Sequence, residues 1–294
     1  MARCLVTGHK GYIGSKLYDR LKKQGHEVMG IDLNDDIPHD IIKYLREDSD
    51  GKFHPHYYNF QPEYIFHMAC WPRVSYSVEK PVETGENNIL SGTILLNFAR
   101  KVGSVKRVIY SSSSSVMGNG NGPESPYGLQ KFVTEMETTI YSKLYGLDTV
   151  SLRYFNVYSH DQKVNGPYAT AISNWMHSLR TSVQPYIEGD GEQRRDMVNV
   201  EDVVGANIFC MEQDIDFNGA VFEVGTGTNI SLNQIKKIVN KHFPDVEFEY
   251  REPRPGDIKE TKANIAPLKN VGWTAKIDIF EGIEDCFRRV KDDQ

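Results

Sequence analysis

Residues Arg3–Asp32 read "RCLVTGHKGYIGSKLYDRLKKQGHEVMGID". A short apolar run, "RCLVTG", closes on glycine and is too short for a helix, which makes it a buried strand. Gly8, Gly11 and Gly14 follow at three-residue spacing. From Tyr12 to Gln24, Ile13, Leu17 and Leu21 form one apolar stripe at helical period. "HEVMGID" is a second strand, and Asp32 ends it. One glycine serves the tight turn, one the approach of backbone to a pyrophosphate, and one close helix–strand packing. The helix N-terminus then faces phosphate with its N–H groups and dipole. A carboxylate about twenty residues on suits the hydroxyls of an adenosine ribose. These thirty residues therefore predict a β-α-β unit that binds a dinucleotide. Asp32 would repel a 2′-phosphate, and the following "LNDD" holds no arginine to accept one, so NAD is expected over NADP.

The alternation continues. "EYIFHMAC", "VKRVIYSSS" and "DTVSLRYFN" read as further strands, with helices expected at 87–102 and 127–145. This pattern gives the fold class: α/β, a Rossmann-type doubly wound parallel sheet, followed by a smaller mixed α/β part. Residues 1–163 are expected to form the sheet domain, completed by part of 196–225. Residues 164–294 mainly form the second. There "ISNWMHSLR", "VEDVVGANIFCM" and "SLNQIKKIVNKHF" read as helices, and "AVFEVG" and "VEFEYRE" as strands. The terminal "VKDDQ" reads as a solvated tail.

The chain of 294 residues is 39% apolar and 25% charged, an ordinary globular composition, and its net charge is −6. Such a charge gives no general attraction to nucleic acid or to an anionic membrane. Cys4, Cys70, Cys210 and Cys286 are scattered without zinc-ligand spacing, so no metal site is expected, and free thiols imply a reducing compartment. "MARCLVTG" has no signal-peptide character, and no apolar run reaches the ~20 residues of a membrane span. A cytoplasmic protein is expected.

Tyrosine precedes lysine by four residues at Tyr18–Lys22, Tyr76–Lys80 and Tyr127–Lys131. The first pair lies one turn beyond the glycine loop, and the second precedes Pro81 in an expected loop. Only Tyr127–Lys131 opens a helix just after a strand ending in hydroxyl residues, "YSSSSS". On a helix, i and i+4 share a face. A nearby ammonium favours the phenolate of a tyrosine whose unperturbed pKa is about 10, making it a usable base. A serine at the strand end can orient the alcohol that loses its proton. This set suits hydride exchange between an alcohol and NAD. His67, in a buried strand, is expected to be a core histidine, and Trp175, Met176 and Leu179 to be packing.

The motifs "TGHKGYIG", "HMAC", "NNILSGT", "YSSSSSVMG", "SPYGLQK", "LRYFNVY", "GDGEQRRDMVNVEDV", "FEVGTG" and "RPGD" occur in this order. Together the chain resembles, over nearly its whole length, an extended short-chain dehydrogenase/reductase, specifically a sugar-nucleotide epimerase similar to UDP-galactose 4-epimerase. The resemblance implies that Ser113, Tyr127 and Lys131 are catalytic. It implies cofactor contacts at Gly8, Gly11, Tyr12, Ile13, Gly14, Asp32, Leu33, Asp40, Ile41, Met68, Ala69, Trp71, Asn88, Ser111 and Phe155, besides Tyr127 and Lys131. It implies substrate contacts at Ser113, Tyr127, Asn156, Arg195, Arg254 and Asp257. Fork-shaped arginines suit a nucleotide diphosphate. The implied reaction inverts C4 of a nucleotide-diphosphate sugar, with a UDP-sugar favoured, through a transient 4-keto intermediate. The implied assembly is a homodimer through helices 87–102 and 127–145.

Related 4,6-dehydratases follow the catalytic hydroxyl with an Asp–Glu pair, and decarboxylases keep the glutamate; here these positions are Ser114 and Ser115. Elimination of water is thereby disfavoured. A 4-ketosugar reductase and a non-catalytic NAD-sensing regulator are the alternatives, the latter at odds with an intact Ser113–Tyr127–Lys131 set. The chain departs from its relatives in a short loop at 118–127, in "CWPRVSYS" and "YSHDQ", and in a compressed stretch at 33–63. Thr261 falls near the position that in the family often limits sugar size.

Overall fold

In the computed structural model, residues 1–36, 39–162, 170–253 and 258–293 are described. They divide into two compact units, one of residues 1–153 and 204–222, the other of 154–203 and 223–294.

The first unit begins with β1 (Arg3–Thr7), α1 (Tyr12–Lys23) and β2 (Glu27–Ile31). β1 pairs in parallel with β2, Cys4 opposite Val28. Among its described residues the next stretch makes two short helices, α2 (Ile41–Tyr44) and α3 (Pro55–Phe60), before β3 (Tyr64–His67). β3 lies on the other side of β1, also in parallel. Then come α4 (Val74–Glu79), α5 (Pro81–Gly85), a π-helical turn at Glu86–Leu90, α6 (Ser91–Val102) and β4 (Arg107–Ser113). A 3₁₀ turn at Ser114–Val116 leads to α7 (Pro126–Tyr145) and β5 (Thr149–Tyr154). With β6 at Asn156–Tyr158, α8 at Ala171–Thr181, β7 at Tyr186–Glu188, β8 at Arg194–Asn199 and α9 at Val200–Glu212, the chain returns to add β9 (Ala220–Val224) to the sheet. The sheet order is β2-β1-β3-β4-β5-β9. Among the described residues, the compressed stretch 33–63 adds no strand. The order reverses between β1 and β3, the place where such sheets leave a crevice at their carboxyl ends.

Leu5, Ile31, Ile65, Leu95, Phe98 and Val108 make one core of this unit. Arg107, in the same unit, is buried as well. Its guanidinium meets Asp148 and donates to the carbonyls of Cys210, Gln213 and Ile215, tying β4 to the returning segment. A buried charge is tolerable only with such complete pairing.

Two stretches differ from their sequence reading. Tyr76 lies in helix α4, which ends at Glu79, rather than in a loop. Pro81 stands at the first position of α5, where its missing N–H costs nothing, so it starts a helix instead of marking a loop. In the π turn the regular ladder is broken, and side chains fill in: the Ser91 hydroxyl bonds the Asn87 carbonyl, and Thr93 Oγ1 that of Ile89 at 3.3 Å.

The second unit holds a three-stranded sheet in the order β10-β8-β6, where β10 is Asn229–Ser231. A two-stranded sheet pairs β7 with β11 (Glu249–Arg251). Besides α8, it holds α10 (Leu232–His242), α11 (Ala266–Val271) and α12 (Ile279–Asp292). Trp175, Met176 and Leu179 pack in its core, as expected, with Ile235, Ile283 and Phe287. The C-terminus corrects the reading of a tail. α12 carries Ile279, Ile283, Phe287 and Val290 on one face, and Val290 is fully buried. No helix among the described residues is long and apolar enough to cross a membrane.

Candidate active site

In the first unit the glycine loop links β1 to α1. Gly8 has φ +68°, and a Cβ there would lie 2.8 Å from Ala69 backbone; one on Gly14 would lie 2.1 Å from the Gly8 carbonyl oxygen. Backbone thus packs on backbone between the ends of β1 and β3, as a phosphate cradle requires. Gly11 caps α1 with no side-chain bond, and Tyr12 and Ile13 begin the helix. Asp32, 8% exposed, ends β2. Its carboxylate accepts from Lys10 N at 3.0 Å and from Asn34 N at 2.9 Å, which fixes its orientation. Leu33 beside it is exposed.

The other cofactor positions separate into two groups. Met68 and Ala69 follow β3, and Ala69 N donates to Thr7 Oγ1 at 3.1 Å. Trp71 N donates to Asn88 Oδ1 at 2.7 Å, and Asn88 Nδ2 donates to the Trp71 carbonyl and to Gln130 Oε1. Asn88, displayed by the π turn, thus clamps the Trp71 loop. Asp40 and Ile41, two further expected cofactor positions, stand at the start of α2. Asp40 Oδ1 caps α2 through Ile42 N, and Ile41 is in the core.

His67 is the expected core histidine. Thr7 Oγ1 accepts from Ala69 N and pairs with His67 Nδ1 at 2.9 Å. Burial, then the Lys131 charge, push its pKa down to about 3, so the ring is neutral.

Ser111, Ser112 and Ser113 end β4. Ser111 Oγ donates to the His67 carbonyl at 2.8 Å, and Ser113 Oγ accepts from Ser115 N at 3.2 Å, capping the 3₁₀ turn. α7 starts on a local signal: Ser125 caps Gly128 N, and Pro126 takes the first helical position. A Cβ on Gly128 would stand 2.5 Å from the Ser115 carbonyl oxygen, so this helix start lies directly on the turn after Ser113. Tyr127 is buried, its N–H held by Ser77 Oγ at 2.9 Å. One turn on, buried Lys131 donates to the Ser111 carbonyl at 2.7 Å. Ser111, Ser113, Tyr127 and Lys131 therefore gather at the carboxyl end of β4.

Sequence reasoning passed over a supporting layer. Glu135, two turns beyond Tyr127, is paired with Arg153 and accepts from Ser112 Oγ at 2.7 Å. Gln130 bridges Asn88 and Thr84 Oγ1. The only signal was polar residues on the buried face of a helix.

In the second unit, Phe155 is buried, and its N–H donates to the Val224 carbonyl at 3.1 Å. Asn156 begins β6, its amide donating to the Asp196 carbonyl. Asn156 and Arg195 line one cavity of about 310 Å³ with Asn174, Trp175, Tyr186 and Gln193. Next to Arg195, fully buried Asp196 accepts from Thr226 N, Gly227 N and Ala263 N, which pins the "GTG" turn to β8. Thr261 pairs by its backbone with Arg194 and Asp196. Arg254 and Asp257 lie outside the described residues.

A glycine cradle open to backbone approach, a carboxylate at the end of β2 and a buried Tyr–Lys helix face fit a dinucleotide beside a hydroxyl-bearing substrate. The model of the NAD-dependent epimerase/dehydratase family matches residues 4–225. A UDP-glucose 4-epimerase of Mycolicibacterium smegmatis is 32% identical over 305 residues, covering 96% of each chain. UDP-glucose 4-epimerase of Thermotoga maritima, solved with UDP-glucose, is similar with a TM-score of 0.87 at 30% identity, covering 98% of this chain and 99% of that one. UDP-glucuronic acid 4-epimerase of Bacillus cereus, solved with UDP-glucuronic acid and NAD, gives a TM-score of 0.85 at 25% identity, covering 99% and 100%. Motifs, sheet order and these likenesses agree: the chain belongs to the NAD-dependent epimerase/dehydratase family.

Proposed function

We propose that this chain is an NAD-dependent epimerase that inverts C4 of a nucleotide-diphosphate sugar, a UDP-sugar by the kinship of its relatives. The observation that carries the reading is the gathering of Ser113, Tyr127 and Lys131 at the end of β4. There Ser114 and Ser115 supply no acid for elimination.

Gly8, Gly11, Gly14, Tyr12 and Ile13 would hold the pyrophosphate of NAD, and Asp32 the adenosine ribose. Met68, Ala69, Trp71, Ser111 and Phe155 would supply further contacts. Bound NAD supplies the hydride acceptor that lets a sugar alcohol become a ketone and return. Tyr127 takes the proton of the C4 hydroxyl and later gives it back. The Lys131 ammonium lowers the cost of the phenolate, and Ser113 Oγ orients the sugar oxygen. Asn156 and Arg195 bind the diphosphate, with Arg254 and Asp257 assigned the same task from the family pattern.

Tyr127→Phe should lower turnover by about 10²–10⁴-fold and leave NAD affinity near wild type. The assay follows the epimeric product with no net change at 340 nm. Wild-type turnover in this variant would refute the mechanism.

The assembly is a homodimer in which α7 provides the contact face. Leu129, Met136, Ile140 and Leu144 form one exposed apolar row along it, 44–69% accessible. α6, by contrast, buries most of its apolar residues within its own unit. Buried free thiols at Cys4, Cys210 and Cys286 suit a reducing cytoplasm.

A further inference from the structure

The glycine loop carries a contradiction. Between Gly8 and Gly11 stand His9 and Lys10, two basic side chains beside the carboxylate proposed to hold the adenosine ribose. Asp32 repels a 2′-phosphate, whereas a lysine at this place would attract one. Loop charge alone does not say which cofactor is preferred.

The structure shows where these two side chains go. Lys10 Nζ lies 3.3 Å from Asp35 Oδ1, 4.0 Å from Asp36 Oδ1, and donates to the Asn34 carbonyl at 3.0 Å. His9 Nε2 lies 3.2 Å from the same Asp35 Oδ1. The other Asp35 oxygen accepts from Asp32 N at 3.0 Å and lies 3.9 Å from His39 Nδ1. Asp35 is only 16% exposed, so its charge meets that of Lys10 in a partly desolvated place, where the pairing counts for more than on open surface. One carboxylate thus engages both basic side chains of the loop and the backbone of the ribose-binding aspartate.

We propose that Asp35 is a specificity-determining residue for the cofactor, because it sequesters the Lys10 ammonium that would otherwise serve a 2′-phosphate. His9 strengthens the latch through its own contact with the same Asp35 oxygen. The phosphate carries nearly two negative charges at neutral pH. In the wild type it meets Asp32 and an already neutralised lysine, while the plain ribose of NAD asks nothing of Lys10. The proposal rests on the reading of the loop as the NAD site.

The test is calorimetric titration of nucleotide-free protein with NAD and with NADP. Asp35→Asn is a mild change, since its amide oxygen can still accept from Asp32 N. It should shrink the NAD-over-NADP preference by about fivefold or more, with the NADP gain fading at high salt. Adding Lys10→Met should remove that gain. An unchanged ratio overturns the proposal, as does equal weakening of both cofactors or a gain that survives Lys10→Met. Wild-type protein that binds neither nucleotide overturns the loop reading itself, and this proposal with it.

Discussion

At the scale of single residues, the site depends on protonation states fixed by neighbours. His67 is held neutral below the Lys131 ammonium, its pKa pushed down to about 3 by burial. Its unfolded value is near 6.5. Above that pH both states are neutral and the residue adds no pH dependence. As pH falls from 6.5 toward 3 the unfolded chain takes a proton that the folded one refuses, so stability drops, by up to about 1.4 kcal/mol per pH unit. Urea midpoints at pH 7, 6 and 5 should therefore fall more steeply for the wild type than for His67→Gln. Parallel curves would remove His67 as the cause.

Among elements, the pair that matters is the end of β4 and the start of α7. Gly128 lets them touch, and Gly128→Ala drives a methyl into the Ser115 carbonyl. Overpacking of this kind costs about 1–3 kcal/mol. Because Tyr127 is the preceding residue, kcat should fall further than stability, while NAD affinity changes little. Thermal melts beside steady-state kinetics would show the split, and unaltered kcat would mean the contact is slack. These two elements were legible because their signals are local: apolar runs, a serine cap, a proline at the first turn, a lysine four residues after a tyrosine. α4 was not, since Pro81 reads as a breaker until one sees that it starts a helix. α12 was overlooked although its stripe is plain, because a charged end drew the reading of a tail. Clamps such as Asn88 on Trp71, or Asp196 on the "GTG" turn, join residues far apart in sequence, and no local pattern announces them.

For the whole molecule, the exposed row on α7 is a liability unless a second copy covers it. Ile140→Glu with Leu144→Glu should convert a dimeric mass to a monomeric one in analytical ultracentrifugation. Both residues are exposed here, so the fold should survive, as circular dichroism would check. A wild-type monomer would end the dimer assignment.

The π turn at Glu86–Leu90 has a consequence for how such a chain can change over time. A wide turn of this kind is what a helix keeps after accepting one extra residue. Losing one residue there would restore an ordinary helix, and the flanking helices could remain intact. What would vanish is the outward step that brings Asn88 to Trp71. At this one place, chain length bears on the site: a deletion that folding tolerates would be felt through the cofactor contact proposed for Trp71.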